Sequence, residues 1–272
     1  MTTTTAADAG SAYTFRNADP QGSHQLTLLA DILDEHTIKV LASIGTGIGW
    51  RCLDIGPGAG TVTRWIAGQV GPTGGVTALD LDPRHIAAAA DNITVLQGDV
   101  RTVDLPPQQY DLIHARLVLL HLTERDLVLR RLADALRPGG LLVVSDWDCT
   151  DRNWLLHAGS PEAAEAYDAF QDAILSILTE HGADLGWART VPLAMRAAGL
   201  ADVSTVVHNR LWPGGTAGNL LHVSNSYQLQ AELLDRGMTA EQLGLLREAM
   251  HDPQTLAYSY WMFTTVGRRA EP

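Results

Sequence analysis

The segment LDIGPGAGTVTRWIA, residues 53–67, constrains this chain more than any other: an apolar strand, a bend bare of side chains at Gly56, Gly58 and Gly60, then a helix. Glycines at such a bend let a ligand lie against the backbone and the helix N-terminus. Dinucleotide sites place glycine at the first, third and sixth positions. Here the sixth is Thr61, and Gly60 occupies the fifth, which gives a GxGxG form and argues against a nicotinamide-dependent dehydrogenase.

Around this segment, runs of strand type (RCLDI, VTALD, ITVLQ, YDLIHA) alternate with runs of helix type (TVTRWIAGQ, PRHIAAAA). That alternation predicts βαβ units and a parallel sheet. Asp82 with Pro83 reads as a helix start. Thr123 with Asp126 opens another helix that stops at Arg137, Pro138 and Gly139, and LLVVSD follows as a buried strand. Upstream, residues 22–44 carry apolar residues at helical spacing, which predicts one or two helices before the first strand, whereas residues 1–11 have no hydrophobic period and predict a disordered tail.

After Asp146 a Trp-bearing loop, DWDCTDRNWLLHAG, leads to a helix capped by Ser160 and Pro161 that runs to Gly182. DVSTVV and AYSYWMFTTV read as the last two strands, and residues 213–253 as a helical insertion between them, with a capping box at Thr239 and Gln242. The expected division is a tail over 1–11, an N-terminal lid and helices over 12–48, a Rossmann-like core over 49–150, and cap helices with the last two strands over 151–272.

Hydrophobic residues make up 46% of the 272, enough for one core with an appended cap. The net charge of -12, with no basic cluster to offset it, argues against nucleic acid as a partner. No run of eighteen apolar residues and no basic-then-apolar leader is present, so no membrane partner and a cytoplasmic location are expected. Cys52 and Cys149 form neither a disulfide framework nor a zinc spacing, and no histidine pairs at a metal-site spacing, so no protein-held metal is expected.

Two acidic residues at strand ends sharpen the reading. Asp80 ends the second β-type run, where a carboxylate can accept from ribose hydroxyls. Asp99, in LQGDV, stands just past the third, able to accept from an adenine amine. With YDLIHARLVLLHL and LRPGGLLVVSDWD following in order, the chain from about Trp50 to Asp148 resembles the class I S-adenosylmethionine-dependent methyltransferases.

The resemblance implies an α/β fold: a Rossmann-like seven-stranded mixed sheet with helices on both faces and an antiparallel last strand. It implies S-adenosyl-L-methionine as cofactor and S-adenosyl-L-homocysteine as product. By position, Asp54 leads into Gly56, Gly58 and Gly60 beside the methionine part. Asp80 and Leu81 fall to the ribose, Asp99 and Val100 to the adenine, and Ala115 and Arg116 to the amino acid end. The N-terminal helices, LRPGG and the late insertion resemble bacterial small-molecule tailoring enzymes of quinone and secondary metabolism. No NPPY-like tetrad follows the fourth strand, no Pro-Cys pair supplies a thiol, and two cysteines are too few for an arsenite-type site, so the expected acceptor is a small molecule, with a homo-oligomer as a further expectation. Other readings are a cofactor-binding enzyme that catalyses a cyclisation or rearrangement, and a noncatalytic cofactor-binding protein.

Because such a cofactor brings an activated methyl group, the protein needs chiefly to align the acceptor and, where required, take a proton. The candidate bases are His114, His121, Asp146, Asp148 and His157. For His121 a satisfied structural histidine is an equal reading, and Asp146 can equally bond loop amides. Tyr13, Phe15 and Arg16 precede the first helices as a lid over the cofactor, Tyr13 touching it, or else as a strap on their own domain. Phe15, Trp147, Trp154, Trp212 and Tyr227 are candidates to line the acceptor pocket, with Trp261 near the mouth. Core packing is the competing fate of each tryptophan, and a solvated helix face that of the run SNSYQLQ around Tyr227.

Overall fold

The computed structural model describes residues 20–86, 90–152 and 154–271. The core elements are α1 (Pro20–Ser43), β1 (Arg51–Ile55), α2 (Thr61–Val70), β2 (Gly75–Asp80), β3 (Ile93–Gln97), β4 (Tyr110–Arg116), α3 (Arg125–Ala135) and β5 (Leu136–Asp148). Then come β6 (Leu155–His157), α4 (Pro161–Glu180), α5 (Trp187–Ala197), β7 (Leu200–His208), β8 (Leu211–Pro213), α6 (Ala217–Gln228), α7 (Gln230–Asp235), α8 (Ala240–His251), β9 (Leu256–Tyr258) and β10 (Trp261–Arg269).

Seven strands form one sheet in the order β3-β2-β1-β4-β5-β10-β7. β1 to β5 pair in parallel, and β10 lies antiparallel between β5 and β7. The expected mixed sheet is therefore present, with the last strand inserted one place in from the edge. β1 is buried from Cys52 to Ile55, as expected of a central strand covered on both faces. Helices α1 and α2 cover one face, where Ile66, Val70 and Leu41 meet Leu112 and Val143; α3 and α5 cover the other, where Leu129, Leu132 and Val191 meet Ile113 and Val144.

Local rules account for most helix starts. Ser160 accepts from the Ala163 N–H with Pro161 behind it, and Thr239 with Gln242 closes both bonds of its capping box at 3.1 and 2.9 Å. At α3 the expectation changes: Glu124 is the cap position, and the Thr123 hydroxyl instead donates to the Glu124 carboxylate at 2.8 Å. After Asp82 the chain makes only a 3₁₀ turn, Pro83–His85, and residues 87–89 of the anticipated helix lie outside the described residues.

Of the one or two helices expected before the first strand, the described residues hold one long helix, α1. Two further features depart from the sequence reading. The LRPGG turn is absorbed into β5, where the register shifts between Tyr110 and Leu112 so that the extra residues bulge out at Gly139. The Trp-bearing segment and the last β-type run each contribute a short strand to a second sheet, β6-β9-β8, that closes the cap. The helical insertion between the last strands is present as α6 to α8, and α6 packs on α1. Among the described residues no helix is long and apolar enough to cross a membrane. The tail over 1–11 and Tyr13, Phe15 and Arg16 of the anticipated lid lie outside the described residues.

Candidate cofactor and acceptor site

At the carboxyl end of β1 the chain turns through Gly56, Gly58 and Gly60 with φ of 62°, 56° and 73°, the left-handed region where a side chain costs about 1–2 kcal/mol. Space is short as well. A Cβ on Gly56 would fall 2.4 Å from the Val118 side chain, and one on Gly58 would fall 3.0 Å from Leu26 of α1. The bend delivers the chain into the N-terminus of α2, so its bare backbone lies where the strand-end crevice of an open α/β sheet takes its ligands.

Asp54 turns inward. Its carboxylate accepts from the Thr63 hydroxyl at 2.5 Å and pairs with His114 Nδ1 at 2.8 Å, and both residues are almost fully buried. Asp54 thereby ties β1, α2 and β4 together beneath the glycine bend. His114 is drawn into the same pair, sealed in the sheet, with its Nε2 lacking a hydrogen-bond partner.

Asp80 stays at the crevice. Its carboxylate accepts from the Asp82 N–H at 2.9 Å and from the backbone of Gly58, which couples the second strand end to the glycine bend. Burial raises its pKa, and those two backbone bonds work against the rise. Leu81 beside it is exposed, and its carbonyl accepts from Gln97 at 3.1 Å. Asp99 is engaged by its own neighbour: Arg101 Nε and its terminal nitrogen reach both carboxylate oxygens at 2.6–3.0 Å, and that bond is the main cause holding the carboxyl below its ordinary value. Its capacity for a further bond lies in the remaining lone pairs.

Sequence reasoning missed Arg131 of α3. Its guanidinium donates to the carbonyls of Val100 (2.8 Å), Arg101 (2.5 Å) and Val103, which fixes the course of the loop after β3 that carries Asp99 and Val100. The only hint was an arginine within an otherwise apolar helix face. Ala115 is buried at the end of β4; the side chain of Arg116 points to α1, bonding Asp34 at 2.9 Å and Thr37 at 3.0 Å. Leu117, next along, adopts φ 54°, a strained turn that redirects the chain into the 3₁₀ turn Leu119–His121 at the crevice.

The candidate bases separate by position. His121 sits in that 3₁₀ turn, partly exposed, and burial with the Arg125 charge pushes its imidazole down to about 4. Asp146, on β5, is buried beneath the same turn; burial pushes its carboxyl up to about 8, against the opposing influence of Leu120, Trp187 and Val118. Asp148 is saturated by Thr150 N–H, the Thr150 hydroxyl and Arg189. His157 is exposed on β6, in the second sheet. Among the described residues no group of three metal-ligating side chains converges.

Of the acceptor candidates, Trp147, Trp154 and Trp212 are brought together, and Tyr227 is not. The three tryptophans converge on Tyr260, with centroids 5.3, 4.6 and 6.4 Å away at steep angles. Each is buried, so their rings pack on one another and on Tyr260 as part of the cap's core, and Trp261 is exposed outside it. Tyr227 lies on the surface, 3.7 Å beneath the Arg247 guanidinium, and its neighbours Ser224, Asn225 and Ser226 are buried against α1 and the cap, so the SNSYQLQ run is not a uniformly solvated face. His222 of α6 packs among the same rings, with partners up to 55 residues away along the chain.

Residues 53–144 match the family described as a methyltransferase domain. The chain is 28% identical over 143 residues to the ubiquinone/menaquinone biosynthesis C-methyltransferase UbiE of Pseudomonas aeruginosa, covering 49% of this chain and 53% of that protein. Its counterpart in Ectopseudomonas mendocina is 28% identical over 142 residues, with 49% and 52% covered. The match thus spans about half the length of these curated relatives. Among solved structures, the Haemonchus contortus phosphoethanolamine N-methyltransferase 2, in complex with phosphomonomethylethanolamine and S-adenosylhomocysteine, superposes with TM-score 0.59 at 16% identity, over 97% of this chain and 61% of that one. The YcgJ protein of Bacillus subtilis gives TM-score 0.54 at 15% identity, over 88% of this chain and 100% of that one.

Proposed function

We propose that this chain is a class I S-adenosylmethionine-dependent methyltransferase that moves a methyl group from S-adenosyl-L-methionine to an oxygen, nitrogen or carbon nucleophile of a small molecule, a reading supported by the methyltransferase-domain match and the quinone C-methyltransferase relatives. One observation carries the reading: the glycine bend Gly56–Gly60 is hydrogen-bonded through Gly58 to Asp80, so a backbone cradle and an acidic strand end form one unit.

The cradle fits the cofactor. In this reading Gly56, Gly58 and Gly60 leave room for the methionine end at the N-terminus of α2, Asp80 accepts from the ribose hydroxyls, and Asp99 with Val100 flanks the adenine. Leu81, Ala115 and Arg116 border the same crevice. When bound, the cofactor supplies an already activated methyl group on its sulfonium. What remains for the chain's own residues is to align the acceptor, keep water out, and take a proton where the nucleophile carries one. Position alone favours His121 for that proton: its turn follows the carboxyl end of β4, while burial and the Arg125 charge weaken its imidazole as a base. His114 is locked to Asp54, and Asp146 keeps its own proton below about pH 8.

The quinone C-methyltransferase relatives support a small-molecule acceptor, and the proposal extends to tailoring chemistry in secondary metabolism and to a cytoplasmic enzyme. Calorimetry with S-adenosyl-L-methionine and S-adenosyl-L-homocysteine is the direct test. Binding of both, abolished in Asp80→Ala, is expected, and failure of the intact protein to bind either one rejects the reading.

A further inference from the structure

A bare sheet edge is a template for a further strand, because alternate residues turn unpaired N–H and C=O groups outward. β7 closes the seven-stranded sheet on one side: it pairs with β10, and among the described residues no strand lies beyond it. Proteins keep such edges solitary with bulges, lysines, prolines or inward charges. In β7 only the start is protected in this way, where Asp202 adopts φ 50° and the register against β10 shifts between Val266 and Arg268. From Ser204 to His208 the pairing with β10 runs without interruption. The stretch VSTVVH, residues 203–208, has β-branched residues at four of its six positions and neither lysine nor proline. Val206 lies on the sheet face of Thr264, which bonds His36 of α1, and Val207 on the opposite face with Phe263; they are 52% and 46% exposed, so this end of the rim is uncovered on both faces.

We propose that β7 is a dimer interface, on which a second copy of the chain lays its own β7 antiparallel along residues 203–208, about a two-fold axis at Val206. The edge is complementary to itself in reverse, which is what a two-fold contact requires. With the axis there, Val206 meets its own counterpart, Val207 meets Thr205, and His208 meets Ser204, so β-branched side chains oppose one another and no like charges do. The flanking charges match as well. Asp202 and Arg210 stand four residues on either side of Val206, which sets each copy's Asp202 toward the other's Arg210. Their side chains are 77% and 50% exposed, and their present partners, Arg268 at 3.7 Å and Glu35 at 3.1 Å, form surface pairs that solvent screens and a facing charge can replace.

This arrangement keeps the two sites apart. β7 runs parallel to β5, so an antiparallel neighbour turns the second copy's strand ends the other way, and the two crevices open at opposite ends of the joined sheet. Neither copy adds a residue to the other's crevice. Dimer formation is therefore independent of cofactor binding, and the interface does not rest on the methyl-transfer reading.

Sedimentation velocity of the full chain tests the assignment, with S-adenosyl-L-homocysteine calorimetry on the same samples. The expected result is a dimer with a dissociation constant of about 1–10 µM, as suits a small interface. Val206→Lys sets two ammonium groups face to face on the axis, and is expected to weaken the dimer at least about a hundredfold with S-adenosyl-L-homocysteine affinity unchanged. Asp202→Arg and Arg210→Asp are each expected to weaken self-association by about tenfold, whereas an equimolar mixture of the two variants pairs opposite charges at both ends and is expected to form mixed dimers more tightly than either alone. Val206→Cys adds an exposed thiol to a chain whose Cys52 and Cys149 are buried, and under mild oxidation is expected to cross-link two copies. A chain that stays monomeric up to about 100 µM overturns the proposal. So does a dimer that Val206→Lys leaves intact, or one that the charge variants form singly as readily as in their mixture.

Discussion

His114 Nδ1 lies 2.8 Å from Asp54 Oδ1 across two neighbouring parallel strands, and neither side chain reaches solvent. The pair sits directly beneath the glycine bend, and Thr63 of α2 supplies its third member. Removing one partner of a buried pair strands the other charge, at about 3–5 kcal/mol. His114→Ala is therefore expected to lower unfolding free energy by that amount in denaturant titrations. Any activity lost is expected to track the folded fraction, because His114 takes no part in proton transfer in the proposed reaction.

Two glycines in one segment are expected to respond in opposite directions. Gly56→Val forces a branched side chain into a left-handed backbone and onto Val118, so S-adenosyl-L-homocysteine affinity is expected to fall by at least about tenfold in calorimetry. Gly68, exposed within α2, has open space where a Cβ would go. Gly68→Ala is expected to raise stability by about 0.8–1 kcal/mol with affinity unchanged.

Arg131 acts through the backbone it holds. Arg131→Ala frees the carbonyls of Val100, Arg101 and Val103, and the loop carrying Asp99 loses its anchor on α3. Cofactor affinity is expected to fall by about tenfold with the pH profile of turnover unchanged, a combination that separates a positioning residue from a proton-transfer group.

The buried acid and the buried imidazole set opposite pH slopes. Asp146 titrates near its ordinary value when unfolded and about 8 when folded, so the native state binds the extra proton between those values. Its contribution is fully present below about pH 4 and is lost as pH rises to about 8, at up to about 1.4 kcal/mol per unit. His222 is pushed down to about 4, so the unfolded chain binds the extra proton and stability falls as pH drops from about 6.5 to 4. Denaturation midpoints across pH 4–9 are expected to flatten on the alkaline side in Asp146→Asn and on the acid side in His222→Phe.

Much of the cofactor side was legible in the residues because its signals are local. A strand, three glycines and a helix stand within fifteen residues, and Asp80 and Asp99 are each marked by the end of an apolar run. The sheet followed from the alternation of runs, and the helical insertion from an intact capping box. What local pattern does not carry are fates set by neighbours: the Asp54 carboxylate faces His114 and Thr63 beneath the bend, and the Arg116 side chain grips Asp34 and Thr37 of α1.

The chain's order of apolar, acidic and glycine residues determined the sheet and the bare bend. Backbone geometry and strand-end position repeat at short range, so sequence spacing carries them. Tertiary packing alone decided which polar groups are engaged and which are left over. Trp147, Trp154, Tyr167, Trp212, His222 and Tyr260 come from β5, the approach to β6, α4, β8, α6 and the link into β10, and they meet only because the cap folds back on α1. Whether such a side chain ends as wall, partner or unpaired donor depends on contacts between distant segments, and no spacing along the chain encodes those.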